Sequence, residues 1–226
     1  MNEEQKPLPW RHISEASSAA LRYIDGRRKG TIKSLATPWK KFNNISMGGI
    51  EWQTITTIAG MSGSGKTAVL GQLETGLKDL NEKDDFAILS FNFEMLSSRL
   101  IGRKLSNKMK LTTQQLYSAS ENFTLNDNYY MNAVQEARKL NQYDINYVDI
   151  PGSVKALEAT ILAFSKEKNK PVIVMLDHTL LVKKVGGAQD RDLLYDLMAM
   201  FNGLKKVIRV SFILISQMNR NIENSE

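Results

Sequence analysis

Gly60-Met61-Ser62-Gly63-Ser64-Gly65-Lys66-Thr67 is the stretch that decides the fold. It fits the pattern G-x-x-x-x-G-K-S/T, and it lies between an apolar run, TITTIA (54–59), and a helical stripe of Val69, Leu70, Leu73, Leu77 and Leu80. A strand, a glycine-rich turn and a helix in that order are what a phosphate-gripping loop needs. The glycines let backbone N–H groups turn inward, and the helix N-terminus adds positive potential. Lys66 is expected to neutralise β and γ phosphate oxygens and Thr67 to offer its hydroxyl to Mg²⁺. Gly60, Ser62, Gly63, Ser64, Gly65 and Ala68 complete the expected nucleotide cradle. The loose dinucleotide pattern Gly63-x-Gly65-x-x-Ala68 would want an acidic residue about twenty positions on to bind ribose. The second apolar run is followed instead by Asn92 and Glu94, which argues against that reading.

Further apolar runs follow: FAILSF (86–91), INYVDI (145–150), PVIVML (171–176) and VSFILI (210–215). Continuous runs of this kind suit parallel strands covered on both faces. Amphipathic stretches alternate with them: Val154, Leu157, Ile161 and Phe164, then Leu193, Leu194, Leu197, Met200, Phe201, Leu204 and Ile208. These Leu and Met stripes read as core packing. Thr112 followed by Gln115 is a capping-box signature that starts another helix. The fold class is therefore α/β: a P-loop NTPase with a mostly parallel twisted sheet and helices on both faces.

Ahead of the first strand, Ile13, Ala16, Ala20, Leu21 and Ile24 recur at helical spacing, and the basic stretch GRRKG (26–30) is expected to break the pattern. A short amphipathic helix is not stable alone in water and must bury its stripe on its own domain or in a groove of a neighbour. The expected division is an N-terminal arm and linker helix over 1–30 and an ATPase core over 31–226.

At 226 residues the chain has room for one sizeable core plus an appendage. Its 42% hydrophobic and 24% charged residues match ordinary globular proteins, which excludes a disordered or fibrous class. There is no cysteine, so disulfides and thiolate metal sites are excluded, and the two histidines, His12 and His178, lie far apart in sequence. The longest apolar runs, 172–176 and 212–215, are far shorter than a membrane span, and MNEEQKPLPW has no signal-peptide core. A net charge of +6 and a pI near 9.4 mildly favour polyanionic partners.

Three polar residues stand at strand ends. Asp177 closes PVIVML, so its carboxylate is expected at the carboxyl edge of a buried strand, holding the magnesium shell beside Thr67, or else capping a loop. Glu94 follows FAILSF, where a carboxylate can deprotonate the attacking water; the alternative is an acidic first-turn residue of a helix starting near Ser97. Gln217 follows VSFILIS, where an amide can donate to the γ-phosphate and sense its presence, or can be a solvated loop residue.

Taken together, GMSGSGKT, SFNFEMLSSRLIGR (90–103), VIVMLDH (172–178) and ILISQMNR (213–220) resemble, in order and spacing, the four ATPase motifs of DnaB-type replicative helicases. The resemblance extends over roughly residues 11–220. It implies a RecA-like motor assembled as a ring, usually hexameric, that hydrolyses Mg-ATP to translocate on single-stranded DNA and unwind a duplex. Mapped by motif, it implies Lys66 and Thr67 on phosphate and Mg²⁺, Glu94 as catalytic base, Asp177 as the second metal-site residue and Gln217 as γ-phosphate sensor. Arg103 matches a motif arginine near the nucleotide. In such rings the helix before the motor docks on the adjacent subunit, the same demand made by the stripe from Ile13 to Ile24. Primase or a helicase loader are further partners it implies, and the cytoplasm of a bacterial or phage-infected cell is the implied location.

Two departures qualify the match. Residues 1–10 are expected to leave no room for the helical N-terminal domain of cellular members, as in a compact phage-like version or an excised motor. The family also places a DNA-contacting loop and a trans-acting arginine finger beyond the sensor strand, so the core is expected to be incomplete at its C-terminal end. Within the chain, Lys183, Lys184, Gly186, Gly187 and Arg191 form a basic stretch where a DNA-facing channel loop could sit, or an ordinary solvated loop. Two other functions compete with the helicase: a RecA-like ATPase of the recombinase or clock-protein kind that does not unwind, and an assembly module whose nucleotide is structural.

Overall fold

The computed structural model describes residues 9–120, 124–187 and 189–218. The first eight residues of the arm, and Asn219 and Arg220 of the last motif, lie outside them. The chain divides into two units between Ser34 and Leu35.

In the first unit a single helix, α1 (Ile13–Arg28), is capped by His12, whose Nδ1 accepts from the Ser14 N–H. The expected break at Gly26 does not occur: the helix runs on to Arg28, its basic last turn suiting the negative end of the helix dipole. Gly26 is buried because the chain folds back over it. The N–H groups of Thr31 and Ile32 donate to its carbonyl, and a Cβ there would meet Ile32 Cδ1 at 2.6 Å. Among the described residues of this unit, the apolar side chains of Ile13, Leu21 and Ile24 are exposed.

The second unit runs α2 (Lys40–Ile45), β1 (Ile55–Gly60), α3 (Lys66–Leu80), β2 (Ala87–Asn92), α4 (Ser97–Met109), α5 (Thr113–Tyr117), α6 (Asp127–Leu140), β3 (Ile145–Val148), α7 (Val154–Lys168), β4 (Val172–Asp177), a 3-10 turn (Thr179–Leu181), α8 (Asp190–Val207) and β5 (Val210–Gln217). The capping box of Thr112 and Gln115 opens α5. The five strands form one sheet in the order β1-β5-β4-β2-β3, with every pairing parallel.

Each apolar run supplies two cores, because successive strand side chains face opposite sides. Val172, Val174 and Leu176 join Phe212, Leu214 and the α7 and α8 stripes, including Leu157, Ile161, Leu197 and Phe201. Ile173, Met175, Ile213 and Ile215 join Leu70, Leu73 and Leu77 of α3 with Leu35, Ile50 and Phe86. Phe201 and Phe212 lie with ring centroids 4.4 Å apart, both essentially unexposed. Truncating either to alanine would cost about 3–5 kcal/mol. β2 and β4 are buried throughout, whereas the edge strands β1 and β3 are only partly covered.

All-parallel pairing brings the carboxyl ends of the strands to one edge, where ligands of open α/β sheets bind. Register fixes who meets whom there: Gly60 opposes Gln217 across β1 and β5, and Asn92 opposes Asp177 across β2 and β4.

Candidate nucleotide-binding site

The loop between β1 and α3 has the shape an anion cradle requires. Gly63 and Gly65 take positive φ of 81° and 87°, conformations that favour glycine, and Gly65 caps α3. Ser64 turns back over the loop's entrance, its Oγ 2.7 Å from where a Cβ on Gly60 would lie. Met61 to Gly65 and Ala68 are exposed, so the loop presents its backbone to solvent. Lys66 folds over the loop, its Nζ donating to the carbonyls of Gly60 at 2.8 Å and Met61 at 2.7 Å.

Thr67 and Asp177 meet directly: the hydroxyl donates to Asp177 Oδ2 at 2.7 Å. Asp177 is 3% exposed, and its Oδ1 is buried without a hydrogen-bond partner. Burial pushes its carboxyl above the ordinary range and the nearby Glu94 charge adds to that, while the Thr67 hydroxyl, His178 and Lys66 pull the other way. The peptide bond from Asp177 to His178 is cis.

Such an orphaned carboxylate oxygen beside a hydroxyl fits a hard divalent cation. No group of three or more His, Cys, Asp or Glu able to hold a metal exists among the described residues. The donor set therefore suits an ion that completes its shell with phosphate oxygens and water, as Mg²⁺ does.

Glu94 is exposed just past β2. Gln217 ends β5 half-buried, and the following N–H, of Met218, donates to Gly60 O at 3.1 Å. Arg103, on α4, is exposed and lines a cavity of about 330 Å³ whose walls also include Thr67, Ala68, Asn92 and Asp177. The basic stretch after β4 is less free than its sequence suggests. Lys184 pairs with Asp190 at 2.5 Å and Arg191 lies 3.9 Å from Asp192, while Lys183 is exposed but tied by its backbone to Gly152.

One cluster escaped the sequence reading. Glu74 of α3 is 2% exposed and ion-paired with Lys104 of α4; its carboxylate also accepts from Tyr147 Oη at 3.2 Å and Ser90 Oγ at 2.5 Å. Burial first, then the Glu74 charge, push the Tyr147 phenol up, so it remains a donor. The signal was present in the spacing. Glu74 falls between Leu70, Leu73 and Leu77 on the core face of α3, where a carboxylate needs a partner.

No helix among the described residues is long and apolar enough to cross a membrane. The family model for the DnaB-like helicase C-terminal domain matches residues 34–226. The fold is similar to a solved structure described as an ATPase domain, with a TM-score of 0.74 and 17% identity over 96% of this chain and 75% of that one. It is also similar to a DnaB-like replicative helicase described with its interactions with primase, with a TM-score of 0.73 and 19% identity. That match covers 96% of this chain but 51% of the other, so the chain spans about half the helicase's length. At these identities the likeness shows the fold. No curated protein sequence matches the chain.

Proposed function

Because the chain belongs to the DnaB-like helicase C-terminal domain family, we propose that it is the ATP-hydrolysing motor of a replicative DNA helicase. The observation that carries this reading is the Thr67 to Asp177 hydrogen bond beneath the glycine-rich loop, which joins a phosphate cradle to a buried, half-satisfied carboxylate.

The loop N–H groups from Ser62 to Ala68 bind the phosphates. Lys66 exchanges its two carbonyl partners for β and γ oxygens. Mg²⁺ bound with the nucleotide would be held by Thr67 and Asp177, and it supplies charge neutralisation at those oxygens. Glu94, at the exposed end of β2, accepts a proton from a water whose oxygen attacks the γ-phosphorus as ADP leaves, giving phosphate. Gln217, opposite Gly60, donates to the γ-phosphate, and Arg103 approaches the nucleotide from α4. Single-stranded DNA is the track, with Lys183 contributing charge and Lys184 and Arg191 doing so once released from their acidic neighbours. The exposed stripe of α1 joins subunits into a ring, expected to be a hexamer, since head-to-tail contacts close into rings. The similar helicase described with primase supports primase as a partner.

The test is phosphate release with and without single-stranded DNA, run beside strand release from a forked duplex. The motor reading expects DNA-stimulated turnover that Glu94→Gln reduces by about 10²–10⁴-fold, together with nucleotide-dependent strand release. Turnover without strand release would favour a RecA-like ATPase that does not unwind. Tight binding without turnover would favour a nucleotide-stabilised assembly module.

A further inference from the structure

The buried wall of the nucleotide site holds a hydrogen-bond conflict. Ser90, wholly buried on β2, has its Oγ 2.5 Å from Glu74 Oε1 and 3.1 Å from Asn92 Oδ1. A serine hydroxyl has one proton, and both neighbours in this arrangement are acceptors. Glu74, ion-paired with Lys104, only accepts, and hydroxyl-to-carboxylate bonds are the short, strong ones. The proton therefore goes to Glu74, and Ser90 has only lone pairs left for Asn92.

Asn92 is 3% exposed, and with Oδ1 toward Ser90 its Nδ2 is buried without a partner. The two ends of an amide fill the same space, and the hydrogen-bond network decides between them. Turning the amide over gives Ser90 the donor it lacks and satisfies the buried NH₂ group. It exchanges the unmet donor for a carbonyl oxygen that needs a donor from elsewhere.

The turn has a consequence at the site. Asn92 is the register partner of Asp177 and lines the same cavity as Thr67 and Asp177. With its NH₂ on Ser90, Asn92 sets its carbonyl oxygen on the side away from that hydroxyl. Asp177 Oδ1 is likewise buried and unpartnered. Two adjacent strand ends thus each offer an acceptor oxygen without a partner, which suits water polarised by a cation.

We propose that Asn92 is a positioning residue of the metal-nucleotide site. Its amide oxygen, oriented by the chain Lys104, Glu74, Ser90, accepts a hydrogen bond from a water of the Mg²⁺ shell. This rests on the nucleotide-binding reading of the glycine-rich loop.

The experiment titrates Mg²⁺, and separately Mn²⁺, against a fluorescent ATP analogue bound to the full chain, and also measures analogue affinity in EDTA. Asn92→Leu should raise the metal concentration for half-saturation about tenfold, the effect of one hydrogen bond to a charged group, and leave the metal-free affinity unchanged. Asn92→Ala serves the same purpose if the leucine variant does not fold. Ser90→Ala, which removes the orienting contact without emptying a large volume, should raise half-saturation about threefold, an intermediate loss. Wild-type half-saturation in a folded, nucleotide-binding Asn92 variant would overturn the proposal and leave the nucleotide reading standing. Wild-type half-saturation in Ser90→Ala would overturn the orienting chain. Failure of the unaltered chain to bind the analogue at all would overturn both the proposal and the reading beneath it.

Discussion

Thr67 donates its hydroxyl to one oxygen of Asp177 and leaves the other oxygen buried without a partner. Residues distant in sequence are thus joined by a single bond that satisfies half a carboxylate, and the other half remains a buried acceptor without a donor.

The unpaired oxygen predicts a stability gain from removing the carboxylate. Asp177 has its carboxyl raised by burial above its ordinary value of 3.8, so its favourable contribution is complete below that value and is lost as pH rises through the folded value. Asp177→Asn, which can still accept from Thr67, should raise the Tm of the nucleotide-free protein by about 2–4 °C, corresponding to about 1 kcal/mol. It should also remove the extra stabilisation that Mg²⁺ gives in the presence of nucleotide. A lower Tm in differential scanning calorimetry would contradict this account of the carboxylate.

Lys66 rests on two loop carbonyls in a solvent-facing loop held by its flanking strand and helix. Lys66→Ala should therefore keep the fold, with circular dichroism unchanged, and weaken nucleotide binding at least 10–100-fold, the range for losing a hydrogen bond to a charged group. Unchanged affinity by equilibrium fluorescence would remove Lys66 from the phosphate site.

The Glu74 and Lys104 pair, 2% and 10% exposed at the side chain, couples α3 to α4. Removing one charge strands the other, so Glu74→Leu and Lys104→Met should each cost about 3–5 kcal/mol in urea unfolding. The double variant should recover part of that loss, because an apolar pair leaves no buried charge although Ser90 and Tyr147 lose their acceptor. Additive losses would show that the two groups act independently.

Asp144 pins the start of β3 by accepting from Lys168 at 2.9 Å and Lys170 at 2.8 Å. Burial alone would raise its carboxyl, but hydrogen bonds from Lys170, Lys168 and Asn146 outweigh burial and hold it at about 2. A depressed carboxyl stabilises above its unfolded value and loses that contribution as pH falls through its folded value. Asp144→Asn should cost about 1 kcal/mol at pH 7 once solvent screening of the lysine pairs is allowed for. The gap between variant and wild type should narrow only between about pH 4 and pH 2. A gap independent of pH would mean that packing, not charge, accounts for the loss.

Light scattering tests the role proposed for α1. Leu21→Lys combined with Ile24→Lys places two charges on side chains exposed within their own unit. The double variant should lower the assembled mass seen with Mg-ATP and leave the thermal transition of the core unchanged. Assembly at the wild-type mass would move the subunit contact elsewhere.

Much of this architecture was legible because the five strands are continuous apolar runs and the strongest motif lies on a strand-to-helix turn. Asp177, Glu94 and Gln217 could be located because each follows a run whose end the sequence marks. Strand order could not be read, since the same runs could be arranged in several parallel orders, and only the fold inserts β5 between β1 and β4. α6 also went unseen, and among its residues only Ala133 is buried. The orienting chain from Lys104 through Glu74 to Ser90 and Asn92 joins three elements, α4, α3 and β2, that only the folded chain brings together. The helix that outlasts Gly26 does so because Ile32 closes over it, a contact that no propensity scale contains.

One carbonyl oxygen, that of Gly60, receives both the Lys66 ammonium and the main-chain N–H of Met218. Under the proposed function, a phosphate that drew the ammonium away would leave this oxygen to Met218 alone, coupling occupancy of the loop to the mooring of the polypeptide where it departs from the fifth strand.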